Sequence, residues 1–146
     1  MKFLTKTILA VTLVAAGAAY AEGPAATNAD VIARQELMKS FGGAAKALGG
    51  MASGEVAYDA AAAEAAKKAL VDGAAMIEAK FTTNAEDPGS KSQPAVWTNW
   101  DDFLAKGKAL GDAAAALDVA SAETIGAGMG GIGGACKACH TDYRMQ

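Results

Sequence analysis

The chain has 146 residues, of which 13 are lysine or arginine and 16 are aspartate or glutamate, so its formal charge is −3 at neutral pH. A chain of this length has enough residues for one domain with a buried core and too few for two. An acidic domain lacks the basic surface that nucleic acids and anionic lipids require, which argues against both as partners.

The first 21 residues have the pattern of a secretory signal peptide. Two lysines precede a short apolar run, which ends in the cleavage sequence Ala19-Tyr20-Ala21. The run is too short for a membrane anchor. We therefore predict cleavage after Ala21, export to the periplasm and a single domain in residues 22–146. That domain has a formal charge of −5, because the signal segment contains two basic residues and no acidic one.

Composition and periodicity predict four helices and no strand of useful length. Alanine is abundant, β-branched residues are sparse, and the three prolines fall outside the periodic stretches. Apolar residues recur at steps of three and four, which is the spacing of one buried helical face. The predicted core positions of the first helix are Val31, Met38, Phe41, Ala45 and Leu48, and those of the second are Ala63, Ala66, Leu70, Gly73, Ile77 and Phe81. The predicted helices run over residues 29–48, 60–81, 95–117 and 121–143.

Two of the predicted helix starts carry capping residues. Thr27 is expected to accept a hydrogen bond from the amide of Asp30 in a capping box, and Asp59 precedes the second helix.

The apolar spacing is that of helices that pack nearly antiparallel, and the connections are short to moderate. The sequence therefore predicts an all-α fold, an antiparallel up-down-up-down four-helix bundle.

The last predicted helix is rich in glycine, with six glycines in ETIGAGMGGIGGACKACH. Each glycine costs a helix about 1 kcal/mol relative to alanine. Two interpretations follow from the composition. The segment is a loop or a frayed helix, or its backbone approaches a flat and bulky group that leaves no room for side chains.

Both cysteines and the single histidine of the chain lie within five residues, as Cys136, Cys139 and His140. On a helix these three side chains share one face. Structural zinc needs four ligands, a thioredoxin-like redox pair needs a βαβ unit, and a disulfide would leave the histidine unexplained. C-x-x-C-H is the attachment sequence of c-type haem, in which both thiols form thioethers and the imidazole binds the iron. We therefore predict one covalent haem c, which would consume both thiols and exclude dithiol redox catalysis.

With this motif the chain resembles the class II c-type cytochromes, that is, the cytochrome c′ group and its low-spin relatives. The resemblance rests on CKACHTDYR near the C-terminus, on ARQELMKSFGG in the first predicted helix and on QPAVWTNW at the start of the third. It covers essentially all of residues 22–146. It implies a four-helix bundle with the haem attached near its C-terminal end.

The resemblance also implies roles for three residues of the first helix. Arg34 and Gln35 are expected at the haem propionates, and a guanidinium suits a carboxylate because it offers bidentate contacts. The alternative for Arg34 is a solvated surface arginine. Met38, one turn later, is expected on the distal side of the iron. In the low-spin branch a methionine here binds the iron opposite His140, whereas in five-coordinate relatives this residue only fills the space.

The stretch LMKSFGG resembles the low-spin branch. The predicted function is therefore electron transfer through iron bound by His140 and Met38, without enzymatic activity. The alternative is a five-coordinate protein that binds nitric oxide or carbon monoxide. Redox proteins are the predicted partners. The resemblance also implies a homodimer of this chain. Trp97 and Trp100 are expected to pack in the core, and Arg144 either places positive charge near His140 or is solvated.

Overall fold

The computed structural model describes residues 24–146, and the predicted signal segment lies outside them. This part of the chain is all helical and contains no strand. None of its helices is both long enough and apolar enough to span a bilayer. The helices are α1 (Ala29–Ala52), α2 (Ala60–Phe81), α3 (Ala95–Thr98), α4 (Trp100–Ala116) and α5 (Ala122–Tyr143).

The four long helices enclose one core. α1 packs against α2 and α5, and α4 packs against the same two helices from the other side. Helices that are consecutive in the chain are therefore neighbours in space, as short connections require. The predicted four-helix bundle is confirmed.

The third predicted helix is divided into α3 and α4 at Asn99. The backbone dihedrals of Asn99, φ −121° and ψ 48°, are not helical. Asparagine favours such breaks because its side chain competes with the helix for backbone hydrogen bonds. The carbonyl of Asn99 still accepts from the amide of Phe103 at 3.0 Å, so α4 begins directly after the break.

The predicted cap of α1 was wrong by one residue. Asn28, not Thr27, is the N-cap, and its side chain accepts from the amides of Asp30 and Val31. The amide and hydroxyl of Thr27 instead donate to the Asp87 carboxylate, at 2.8 and 3.1 Å. Because Thr27 is held by the loop after α2, capping falls to the next residue. The predicted cap of α2 at Asp59 is confirmed, since its side chain accepts from the amide of Ala62.

Asp87 ties this loop to the start of α1. Besides Thr27, the amides of Asn28 and Gly89 donate to its carboxylate, at 2.7 Å each. Gly89 has to be glycine here, because a Cβ would lie 2.5 Å from the backbone nitrogen of Ala26. The hydrogen bonds from Asn28, Thr27 and Gly89 lower the pKa of Asp87 from 3.8 to about 2.

A carboxyl group whose pKa is lowered by folding stabilises the folded state at neutral pH. This stabilisation is lost in acid. The contribution of Asp87 is complete above its unfolded pKa and disappears as the pH falls from about 4 to about 2. We expect Asp87→Asn to lower the stability at pH 7 and to flatten the stability profile in that window. Urea unfolding at several pH values measures both effects. Glu86→Gln makes the same charge change one residue away and should keep the wild-type slope; a wild-type slope in Asp87→Asn would contradict the prediction.

The predicted apolar faces are confirmed for α2 and altered for α1. All six predicted positions on α2 are buried, including Leu70 and Ile77. On α1 the structure buries Arg34 and Leu37, while Met38 and Ala45, which were predicted for the core, are half-buried. Met38 packs against the edge of the core. The buried face of α1 is therefore shifted by one residue around the helix relative to the predicted face.

Candidate haem-binding site

Cys136, Cys139 and His140 lie in the last two turns of α5. All three side chains are half-buried, and both thiols are free. Their spacing of three and four residues places them along one side of the helix. In residues 24–146 no group of three or more His, Cys, Asp and Glu side chains could hold a metal ion.

Burial shifts the pKa of each of these groups toward its neutral form. It raises the pKa of Cys136, and it raises that of Cys139 to about 11. The pKa of His140 is lowered, first by burial and then by the charge of Arg144. A neutral imidazole is the form that binds iron, and thiols with raised pKa are poorly suited to thiolate chemistry. The arrangement suits attachment and ligation better than dithiol redox cycling.

α5 is one continuous helix despite its six glycines, so the interpretation as a loop or a frayed helix was wrong. It starts with a capping box, in which the side chains of Ser121 and Thr124 each accept a hydrogen bond from the other's backbone amide. A Cβ added at Gly130, Gly133 or Gly134 would meet nothing within 4 Å. The surface of α5 just before the cysteines is therefore open to a bulky group.

The last turn of α5 is fastened to α4. The hydroxyl of Tyr143, a side chain that is only 5% exposed, donates to Asp102 at 2.5 Å. Burial and this bond raise the pKa of Tyr143 to about 12. Lys106 lies 3.1 Å from Asp142 and 3.7 Å from Asp102, and the ring of Tyr143 packs edge-on against Phe103. These contacts hold the turn that carries His140 in one position.

Arg34 is the one buried charged residue in the described part of the chain, with 3% exposure. The predicted alternative of a solvated arginine was therefore wrong. Its Nε donates to the carbonyl of Lys80 at 3.0 Å, and its Nη2 donates to that of Thr83. Its guanidinium carbon lies 5.2 Å from the ring centre of Phe81 and 5.1 Å from that of Trp97. Arg34 thus caps the end of α2, where carbonyls lack helical partners.

One nitrogen of Arg34 remains available. Among residues 24–146 nothing accepts from Nη1, although this atom is buried. Burial lowers the pKa of Arg34 while the charge of Asp30 raises it, and a guanidinium stays charged throughout. Gln35, the other predicted propionate partner, donates from Nε2 to the carbonyl of Gly89 at 2.9 Å. Arg34 therefore retains a charged donor for an acceptor from outside the chain.

We expect Arg34→Ala to destabilise the protein by about 3 kcal/mol, because it removes two hydrogen bonds from a charged donor and leaves helix-end carbonyls without partners. Guanidinium unfolding of the haem-loaded protein measures the change. The neighbouring variant Gln35→Ala removes a single neutral hydrogen bond and should cost about 1 kcal/mol. Equal costs for the two variants would show that Arg34 does not clamp α2.

The remaining predicted residues lie close to these groups. Trp97 and Trp100 are half-buried and pack against the core, and the indole of Trp97 donates to the carbonyl of Phe81 at 2.7 Å. Arg144 is exposed and lines a cleft with His140. Sequence reasoning missed the Asp102–Lys106 pair, although its four-residue spacing on a helix is a readable signal.

Comparison with known proteins identifies this arrangement. The family described as Cytochrome C′ matches residues 29–144, that is, all five helices. The chain belongs to the cytochrome c′ family. Cytochrome c-556 of Agrobacterium fabrum is 38% identical over 97% of the chain and 96% of its own length.

Two solved structures of cytochromes c′ have the same fold. The protein from Rhodobacter sphaeroides is 33% identical and has a TM-score of 0.72, with 80% of this chain and 95% of that chain covered. A mutant from Alcaligenes xylosoxidans is 27% identical, with a TM-score of 0.70 over 80% of this chain and 94% of that one. Cytochromes c′ bind a covalent haem c, and the cysteines of this cytochrome are Cys136 and Cys139. Its relatives are haem proteins and not enzymes in the usual sense.

Proposed function

We propose that this cytochrome is a periplasmic electron carrier with one haem c. In the proposal Cys136 and Cys139 hold the haem by thioethers, His140 is the proximal ligand, and Met38 is the sixth ligand. Bound haem supplies one-electron chemistry at its iron. The chain supplies attachment, ligation and a buried environment for the charge.

The described residues fit a haem of this kind. The open surface at Gly130, Gly133 and Gly134 leaves room beside the cysteines. The unpartnered Nη1 of Arg34 is a charged donor suited to a propionate, and Gln35 adjoins it. A bond to a carboxylate would satisfy an atom whose burial otherwise costs free energy.

The observation that carries electron transfer is the position of Met38. It lies one turn beyond Arg34 on α1, half-buried at the edge of the core, and α1 packs against the helix that carries His140. If His140 and Met38 both held the iron, no coordination site would be left for a substrate. A thioether favours ferrous iron and raises the reduction potential. The similarity to a cytochrome named c-556 supports the low-spin assignment.

A specific observation favours gas binding as the second candidate. The mutant cytochrome c′ from Alcaligenes xylosoxidans was solved as a nitric oxide complex. In that case Met38 would only pack on the distal side and would leave one coordination position vacant. Redox proteins are the proposed partners of the carrier, and dimers are frequent in the family, which supports a second copy of the chain as well.

Absorption spectra of the oxidised and reduced holoprotein separate the two candidates. A carrier with bound Met38 should give a sharp low-spin α band on reduction. Carbon monoxide should leave the reduced spectrum nearly unchanged at neutral pH, because it has to displace the thioether. A high-spin spectrum that changes readily with carbon monoxide would replace electron transfer with gas binding.

A further inference from the structure

Three basic residues lie near the C-terminal end of the helix that carries His140. Lys91, Lys137 and Arg144 are all exposed. Lys137 and Arg144 line a cleft of about 240 Å³ whose other walls include His140. Lys91 is brought to the same place by its carbonyl, which accepts from the amide of Met145 at 2.8 Å. We call these three residues the C-terminal basic patch.

The segment that carries Lys91 is held along the C-terminal tail. Ser92 forms an antiparallel bridge with Arg144, and the amide of Gln93 donates to the carbonyl of Tyr143 at 2.9 Å. The side chain of Gln93 adds a bond to the carbonyl of Arg144 at 3.0 Å. Lys91 and Arg144 are therefore neighbours because two segments far apart in sequence are paired there.

The charges of the patch are not neutralised within the described part of the chain. The ion pairs of residues 24–146 use Lys68, Lys106 and Lys108, and none includes a residue of the patch. The acid nearest in sequence to Lys137 and Arg144 is Asp142, which is held by Lys106 at 3.1 Å. Three cations without an ion pair in residues 24–146 therefore lie at this end of a protein whose net charge is negative.

Charges close to His140 have a larger effect on an approaching molecule than charges at the far end of the bundle. α5 has 22 residues and is therefore about 33 Å long. Charges that far apart in solvent are screened from each other, because the Debye length is about 10 Å at 0.1 M salt. A molecule that approaches His140 thus experiences the basic patch and little of the charge at the far end of the bundle.

We propose that the C-terminal basic patch is the docking surface for a redox protein with a carboxylate-rich surface. The inference rests on the proposed electron-transfer function, since Lys137 and Arg144 line a cleft with the proposed proximal ligand. Exposed lysine and arginine around one site attract carboxylates, accelerate encounter and orient the partner. An anionic membrane is disfavoured because membrane-binding segments use four to eight basic residues, whereas the patch has three.

Two anionic probes test the patch on the haem-loaded protein. Ferricyanide takes one electron from the reduced protein and becomes ferrocyanide, and its rate constant is measured by stopped flow at increasing salt. We expect the rate to fall about threefold between about 0.05 and 0.5 M salt, because attraction to the patch is screened. A rate that rises with salt would show that the net negative charge governs the approach, and would overturn the proposal.

Charge reversals locate the effect. Lys137→Glu should reduce the ferricyanide rate at low salt about fivefold, and Lys91→Glu, which lies outside the haem motif, should act in the same direction. Lys68→Glu makes the same charge change at the opposite end of the bundle and should leave the rate within error of wild type. An equal effect of Lys68→Glu would contradict a local docking surface.

Equilibrium binding gives a readout that is independent of electron transfer. Deca-aspartate should bind the wild-type holoprotein at low salt, and Lys137→Glu should weaken that binding about fivefold. Binding to vesicles of phosphatidylcholine and phosphatidylglycerol in equal parts, lost in Lys137→Glu, would assign the patch to a membrane and overturn a protein partner. Peptide binding and its salt dependence do not depend on whether Met38 binds iron, so failure of the docking surface is distinguishable from failure of the carrier.

Discussion

Replacement of Met38 by alanine should convert a low-spin protein into a high-spin one that binds gases. The side chain at this position is the proposed sixth ligand, and without it the iron would have a coordination site free for a gas. Carbon monoxide affinity of the reduced protein should rise by more than about tenfold, the factor that corresponds to about 1.4 kcal/mol of competing ligand bond. Absorption spectra before and after addition of carbon monoxide measure both changes.

Two further variants separate ligation from packing. Met38→Leu keeps the volume and removes the sulfur, so it should also become high-spin while it retains most of its stability. Leu37→Ala removes the buried neighbour, which is 8% exposed, and should cost about 2–5 kcal/mol of stability without a change of spin state. If Met38→Leu remains low-spin, Met38 is a distal packing residue and the proposed ligation is wrong.

The double substitution Cys136→Ala with Cys139→Ala should yield a protein with reduced helicity and a broad thermal transition. The six glycines of α5 each cost about 1 kcal/mol, and at Gly130, Gly133 and Gly134 no neighbouring side chain of the bundle is close enough to offset that cost. Apolar side chains that the haem would cover are then left beside an unfilled space, which is also destabilising. Circular dichroism during heating measures helicity and the width of the transition.

Attachment itself is checked by mass. The wild-type holoprotein should exceed the mass of residues 22–146 by one haem, and acid-acetone should not extract it. The double variant should have the mass of the polypeptide alone. An extractable haem in the wild type, or a sharp, holo-like transition in the double variant, would contradict the link between covalent attachment and folding.

The positions of the helices could be predicted from the spacing of residue types along the chain. The apolar face of α2 and the cap at Asp59 depend on residues within a few turns of one another, and both were predicted correctly. The C-x-x-C-H motif is equally local, since a helix necessarily brings Cys136, Cys139 and His140 to one side. Four segments with helical apolar spacing, joined by short to moderate connections, were likewise enough to predict the four-helix bundle.

The errors and omissions concern residues whose partners are distant in the chain. The cap of α1 moved from Thr27 to Asn28 because Thr27 is bound by a carboxylate 60 residues away. Arg34 was expected at a propionate or in solvent, yet it closes the end of α2 through Lys80, 46 residues away. The same crossing of helices buries Leu37 and leaves Met38 at the edge of the core. Such contacts depend on how the helices are placed against each other, and no spacing along one helix encodes that placement.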